Sequence, residues 1–272
     1  MMSQLPPDIS PERILSRLTA RIIGRELTVL PEIGSTNDAV MAAGQEGRLE
    51  GFAVLADRQA GGRGRLGRVW ASLPGVGIYT SVLLRPAVPP HQTPLLTLMA
   101  GLAVAEAIHA VAQIRPALKW PNDVLLQHRK VAGILTEMAS LGSRVSHVSL
   151  GIGINVHHGR EDFPAEVRAT ATSLLIATGR SVDRGELAAA LYDALDRWYA
   201  VFCSGDRAGI LQAAREQSAT LGRDVTVESG TDRWQGVAVD LDADGALLVR
   251  GEDGAVRRVL ADDVSIRAGL RP

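Results

Sequence analysis

Short apolar runs separated by polar, glycine-rich turns set the rhythm of this chain, and one long apolar segment breaks it. Glu26 to Leu30 predicts a strand and Ser35 to Ala43 a helix. Phe52-Ala53-Val54-Leu55-Ala56 has the length and continuity of a buried strand, and Ile78 to Leu84 predicts another. Leu95 to Ala112 predicts a buried central helix. Its longest apolar stretch, Leu95 to Ile108, is interrupted by Thr97 and Glu106 and is too short to cross a bilayer. Three short strands separated by turns follow: Ala117 to Trp120, Asp123 to Leu126 and Val131 to Ala139. Val145 to Val156 predicts one more, with Gly151 and Gly153 inside it. Leu187, Leu191, Leu195, Trp198, Tyr199 and Phe202 recur at spacings of three and four, which predicts an amphipathic helix.

The two ends differ from this middle. Pro6, Pro7 and Pro11 discourage regular structure, and Ser10-Pro11 can cap and open a short helix through Leu18. Beyond Thr220 the pattern becomes all-β: Val225 to Glu228, Trp234 to Leu241, Ala246 to Arg250 and Val256 to Leu260. The turns between them hold Gly230-Thr231-Asp232, Asp244-Gly245 and Asp253-Gly254, and Asp-Gly is a strong hairpin signal. The expected organisation is an N-terminal arm (1–25), a larger domain (26–219) and a small β-domain (220–272) of roughly 50 residues, near the lower limit for independent stability.

Composition narrows the class. A chain of 272 residues with 46% hydrophobic and 22% charged residues is globular rather than disordered. Aromatics are only 4%, so the core should be aliphatic. A formal net charge of -1 gives no global basic field for nucleic acid. The single cysteine, Cys203, rules out an intramolecular disulfide and suits a reducing cytoplasm. Met1 to Ala20 carries no signal-peptide pattern, so a cytoplasmic location is expected.

Five motifs carry candidate chemistry. Gly62-Arg63-Gly64-Arg65-Leu66-Gly67-Arg68 matches a dinucleotide fingerprint, but Pro74 forbids the long helix that fingerprint requires. Its glycines free the backbone to wrap a ligand, and its guanidinium groups suit phosphate or carboxylate; a solvated surface loop is the plain alternative. Lys119-Trp120-Pro121-Asn122-Asp123 places a lysine before a turn, and turn chemistry alone explains it. In Lys130-Val131-Ala132-Gly133-Ile134-Leu135-Thr136-Glu137, Gly133 marks either close approach of a ligand or a β-bulge. Gly151-Ile152-Gly153-Ile154-Asn155-Val156 puts two glycines and a polar residue in an apolar strand, as tight sheet packing also would. Gly34-Ser35-Thr36-Asn37-Asp38 is a helix capping box by default, and a helix N-terminus also offers donors to a polar ligand. His157-His158 has no ligand constellation around it and reads as a surface pair.

In this order the five motifs resemble the catalytic domain of biotin protein ligases, over about Glu26 to Leu175, with Gln59 completing the pattern Q-x-x-G-R-G-R. The resemblance implies an α+β fold: a mixed sheet flanked by helices, like that of class II synthetases, followed by an SH3-like β-barrel. It implies an ATP-dependent ligase of the type lacking an N-terminal winged helix, with no repressor role, since too little chain precedes Glu26 for one. Biotin and ATP would give biotinyl-5′-AMP and pyrophosphate, and a lysine of a biotin carboxyl carrier domain would then take the biotinyl group. The roles implied for biotin binding fall on Ser35, Thr36, Asn37, Gln59, Arg63, Gly64, Arg65, Lys119 and Gly133. Those for the nucleotide fall on Arg65, Trp70, Asn122, Asp123, Lys130 and Asn155. Lys119, Arg63 and Arg65 would act in catalysis. Mg²⁺ is implied without a defined ligand set; Asp123 is the candidate contact. Both reactants are anionic, which explains the cations. Cys203 and the histidines need no catalytic role. Expected partners include neither DNA nor membrane, and the chain is expected to be a monomer or weak homodimer. The Gly/Arg loop, Gly61 to Arg68, is expected to be mobile alone, its arginines repelling until an anion arrives. Lipoate protein ligase and a non-catalytic biotin-binding protein are the alternative readings.

Overall fold

The computed structural model describes residues 6–229, 232–260 and 263–266. Helix α1 (Pro11–Leu15) opens with Ser10 accepting a hydrogen bond from the Arg13 N–H at 3.3 Å. It stops short of Leu18: the Arg17 and Leu18 N–H groups turn to the carbonyls three residues back, at 3.0 and 3.3 Å, and the donors after them go to carboxylates far along the chain. Asp193 accepts from the N–H groups of Thr19 and Ala20, and Asp196 from those of Arg21, Ile22 and Ile23. The arm is pinned further by Arg184, 1% exposed, whose guanidinium bonds both Asp8 and Asp57.

The larger domain continues through β1 (Leu27–Leu30), α2 (Thr36–Gln45), β2 (Ala53–Ala56), β3 (Gly77–Leu84), α3 (Thr93–Ala112), β4 (Ala117–Lys119), β5 (Asp123–Leu126), β6 (Arg129–Leu141), β7 (Arg144–Asn155), α4 (Leu174–Thr178), α5 (Arg184–Cys203) and α6 (Arg207–Glu216). Its seven strands form one sheet in the order β1-β2-β3-β7-β6-β5-β4. Only β1 and β2 run parallel, so the sheet is mixed as expected. Helices α4 and α6 are absent from the sequence reading. The first is too short to show a period, and the second buries only Ile210, Leu211 and Ala214. Each is started by a capping side chain, Ser173 and Asp206, that accepts a backbone N–H.

Side chains alternate between the faces of a strand, and that alternation positions everything below. Ile78, Val82 and Leu84 of β3, Ala132 and Ile134 of β6, and Leu150, Ile152 and Ile154 of β7 join α3 and α5 in the main aliphatic core. The opposite face receives α2, whose Val40 and Ala43 pack with Val54 and Leu83. Ser81, Gly133, Leu135, Glu137, Gly151, Gly153 and Asn155 share the parity of that second face.

The small domain holds β8 (Asp224–Ser229), β9 (Asp232–Leu241), β10 (Leu247–Gly251), β11 (Val256–Val259) and β12 (Asp263–Ile266). Gly245 and Gly254 adopt φ of +83° and +79° in the two expected Asp-Gly turns. The turn expected at Gly230-Thr231 lies outside the described residues. The five strands form an antiparallel sheet in the order β11-β10-β9-β8-β12. This is the small β-domain that was expected, and among the described residues no ladder between the two edge strands closes it into a barrel.

Candidate active site

A cavity of about 630 Å³ opens on the α2 face, between the start of α2, the glycine-bearing strands and the turn after β4. Every residue given a binding or catalytic role by the resemblance lines it: Ser35, Thr36, Asn37 and Gln59; Arg63, Gly64, Arg65 and Trp70; Lys119, Asn122, Asp123 and Lys130; Gly133 and Asn155.

The N-terminus of α2 forms a neutral polar end. Ser35 caps the helix in extended conformation, its hydroxyl 3.5 Å from the Asp38 N–H. The reciprocal half of the capping box is missing, because the Asp38 carboxylate turns outward to Arg63. Gln59 Oε1 accepts from the Thr36 N–H at 2.8 Å and hydroxyl at 3.0 Å, while its amide donates to Ser72 at 3.1 Å. Asn37 accepts from the Ser81 hydroxyl at 2.5 Å and donates to Glu137 at 2.6 Å. Ser35, Thr36 and Asn37 are buried, Gln59 is half-buried, and their bonds orient them mutually, so a ligand meets a preset array of amide and hydroxyl groups.

The strand glycines make room for this array. Gly133 and Gly153 face one another across β6 and β7 in regular register, and the bulge in this stretch of β6 falls instead at Val131, opposite β5. A Cβ at Gly151 would lie 2.1 Å from Asn37 Oδ1, and one at Gly153 would lie 2.5 Å from the Trp70 ring. The close approach inferred from the sequence is therefore made first by side chains of the site itself.

The far end is cationic. Lys130 Nζ lies 2.5 Å from Asp123 Oδ1, and Lys119 Nζ 3.9 Å from Oδ2, so two ammonium groups share one carboxylate. Lys130 also stands 5.3 Å over the Trp70 ring. Asn122 donates to the Ile134 carbonyl at 2.9 Å and accepts from Arg65 at 3.1 Å. The turn is therefore more than a simple hairpin end. Asn155 donates to the Thr172 carbonyl at 3.0 Å, the backbone satisfaction that tight packing predicts, and still borders the cavity.

The Gly/Arg loop folds over the opening as a small hairpin. The Trp70 N–H donates to the Gly62 carbonyl at 3.0 Å and the Gly64 N–H to the Arg68 carbonyl at 2.7 Å. Leu66 at its tip is left-handed with φ 56°. Arg63 does not wait for a ligand anion: it pairs with Asp38 and with Glu137. Its hydrogen bonds hold the Asp38 carboxyl below the usual carboxylate range, and the same pairing raises the guanidinium.

Several contributors escaped the sequence reading. Ser81 is polar inside an apolar strand, which was a usable signal. Asp38 and Glu137 stood in quoted motifs without a role. Phe163, Pro164, Val167 and Thr170 close one end of the cavity from a segment without periodicity. That segment is tied down where the Lys130 N–H donates to the Thr170 carbonyl at 2.8 Å. His158 is a correction. It is not a surface residue but 1% exposed, stacked on Phe163 at 5.2 Å, with Nε2 3.4 Å from the Tyr79 hydroxyl. Burial pushes its imidazole down to about 4. His157 is half-buried, with Nε2 2.8 Å from the Val182 carbonyl.

Known proteins share this arrangement. A model of the biotin/lipoate A/B protein ligase family matches residues 30–155, and one of the biotin protein ligase C-terminal domain matches 220–267. The bifunctional ligase/repressor BirA of Bacillus spizizenii is 34% identical over 96% of this chain and 80% of its own length. The biotin–[acetyl-CoA-carboxylase] ligase of Mycobacterium tuberculosis is 38% identical over 83% of each chain. The biotin protein ligase from Aquifex aeolicus, solved in complex with biotin and ATP, superposes with a TM-score of 0.76 at 32% identity, covering 89% of this chain and 99% of that one. The chain belongs to the biotin/lipoate A/B protein ligase family and, within it, to the biotin protein ligases.

Proposed function

We propose that this protein condenses biotin with ATP to biotinyl-5′-AMP and transfers the biotinyl group to one lysine of a carrier domain. The observation that carries the reading is the pairing, in one cavity, of a neutral amide and hydroxyl array at Thr36, Asn37 and Gln59 with two lysines that share Asp123.

The chemistry follows from that polarity. A ureido ring needs neutral donors and acceptors, which the α2 end supplies. A carboxylate approaching an α-phosphate needs positive charge, which Lys119 and Lys130 supply beside Trp70 and the Gly/Arg loop. The carboxylate oxygen bonds to the α-phosphorus and pyrophosphate leaves. The carrier amine then attacks the mixed anhydride carbonyl and AMP leaves. Arg65, bonded to Asn122, ties the loop to the nucleotide end.

Among the described residues no three of His, Cys, Asp and Glu converge as a metal cage. Magnesium is commonly held by one or two carboxylates together with substrate phosphates. Asp123 is such a carboxylate on the cavity wall, so the donor set fits an ion that arrives with the nucleotide rather than a resident metal. When bound, that ion would neutralise phosphate charge.

Lipoate would leave the α2 array without partners, since a dithiolane ring makes no comparable hydrogen bonds. A storage protein for biotin has no use for the paired lysines. The carrier is the biotin carboxyl carrier domain of a biotin-dependent carboxylase, and the reaction takes place in the cytoplasm. Pyrophosphate release by the purified protein tests the first half-reaction. It should require ATP and biotin together and should not be supported by lipoate; release with lipoate alone would reverse the assignment.

A further inference from the structure

Strand β4, which carries Lys119, is an edge strand of three residues, and the segment leading into the small domain covers its open edge. The Leu118 N–H donates to the Gln217 carbonyl at 2.8 Å, and the Ala219 N–H returns to the Leu118 carbonyl at 2.7 Å. On the other side of the lysine, the Trp120 N–H donates to Thr220 Oγ1 at 2.9 Å. The Trp120 indole N–H donates to the Gly245 carbonyl at 3.0 Å. Thr220 is fully buried, and the Gly245 turn rests on Leu95 and Leu98 of α3. Both neighbours of Lys119 are thus hydrogen-bonded to residues outside the sheet.

We propose that Thr220 and the Gly245 turn are positioning residues for Lys119. The small domain grips Trp120 and so fixes where the ammonium stands in the cavity. A three-residue strand has few bonds of its own to resist displacement, and a misplacement of about 1 Å can cost a reaction about 10²-fold. The inference rests on the role given to Lys119 above.

The test is biotin-dependent pyrophosphate release by the full chain carrying Thr220→Val, Thr220→Ser, Trp120→Phe or Lys119→Ala. Valine keeps the shape of threonine and leaves the buried Trp120 N–H without an acceptor. Thr220→Val should lower kcat about tenfold while KM for biotin stays within about twofold, because other elements hold the α2 array. Thr220→Ser should restore the rate, and Trp120→Phe should reproduce the split. Wild-type kcat in Thr220→Val, a parallel loss of biotin affinity, or failure of serine to rescue overturns the proposal. If Thr220→Val does not fold, Trp120→Phe decides alone, since it keeps an aromatic ring and removes the indole donor. An active Lys119→Ala enzyme would instead overturn the role of the lysine, and the two failures are therefore separable.

Discussion

Arg63 closes its guanidinium on the Asp38 carboxylate through two bonds, of 2.6 and 2.8 Å, joining the first arm of the Gly/Arg loop to the helix that starts the polar pocket. Glu137 adds contacts at 3.1 Å and also holds Asn37. The sequence led us to expect arginines that repel until a ligand arrives. The fold supplies two carboxylates of its own.

This latch should set how often the loop opens. The groups are partly exposed, so each pair contributes only about 0.2–1 kcal/mol. Asp38→Asn with Glu137→Gln should therefore speed hydrogen exchange across residues 61–70 several-fold in the ligand-free protein, and added salt should mimic it in the wild type. The Asp38 carboxyl is depressed by Arg63, so its contribution is complete above the ordinary value of 3.8 and is lost as pH falls through its lowered value. Unchanged exchange in the double variant would mean that the loop is held by its backbone alone.

Gly151→Ala should act on the pocket rather than the fold. The added methyl would meet Asn37 Oδ1 at 2.1 Å, and Asn37 is fixed by Ser81 and Glu137. Overpacking of this kind costs about 1–3 kcal/mol. KM for biotin should rise about tenfold or more, with KM for ATP little changed. Equal rises in both would place the glycine outside the biotin end.

His158 should make the protein acid-labile. Its folded value is about 4 against an ordinary 6.5, so between those values the unfolded chain binds the extra proton and stability falls as pH falls. The loss by pH 4 should be on the order of 2–3 kcal/mol. His158→Gln should flatten the stability profile between pH 6.5 and pH 4; a slope identical to wild type would show that carboxylates alone set it.

Lys119→Ala should slow adenylate formation by about 10²-fold or more, the usual effect of removing one electrostatic stabiliser. Near-normal pyrophosphate release would remove the lysine from the reaction.

The sheet was legible because its strands are continuous apolar runs bounded by glycine and proline, and the cavity residues were legible because polar groups and glycines interrupted those runs. Asn155 and Gly153 are examples: each breaks an apolar pattern, and both line the cavity. What stayed hidden has no local signature. Arg63 pairs with Glu137 across 74 positions of sequence, and only β-strand parity brings them together. His158 looked exposed beside His157 because burial came from Phe163 and Tyr79, which belong to other segments. The grip of Thr220 on Trp120 joins residues 100 positions apart.

The central claim is tested most directly by incubating the protein with ATP, magnesium and a biotin carboxyl carrier domain, with either biotin or lipoate, and mapping the modified residue by mass spectrometry. A biotinyl group on a single carrier lysine, dependent on ATP and absent with lipoate, is the predicted result. Binding of biotin with no transfer, or lipoylation in place of biotinylation, would contradict it.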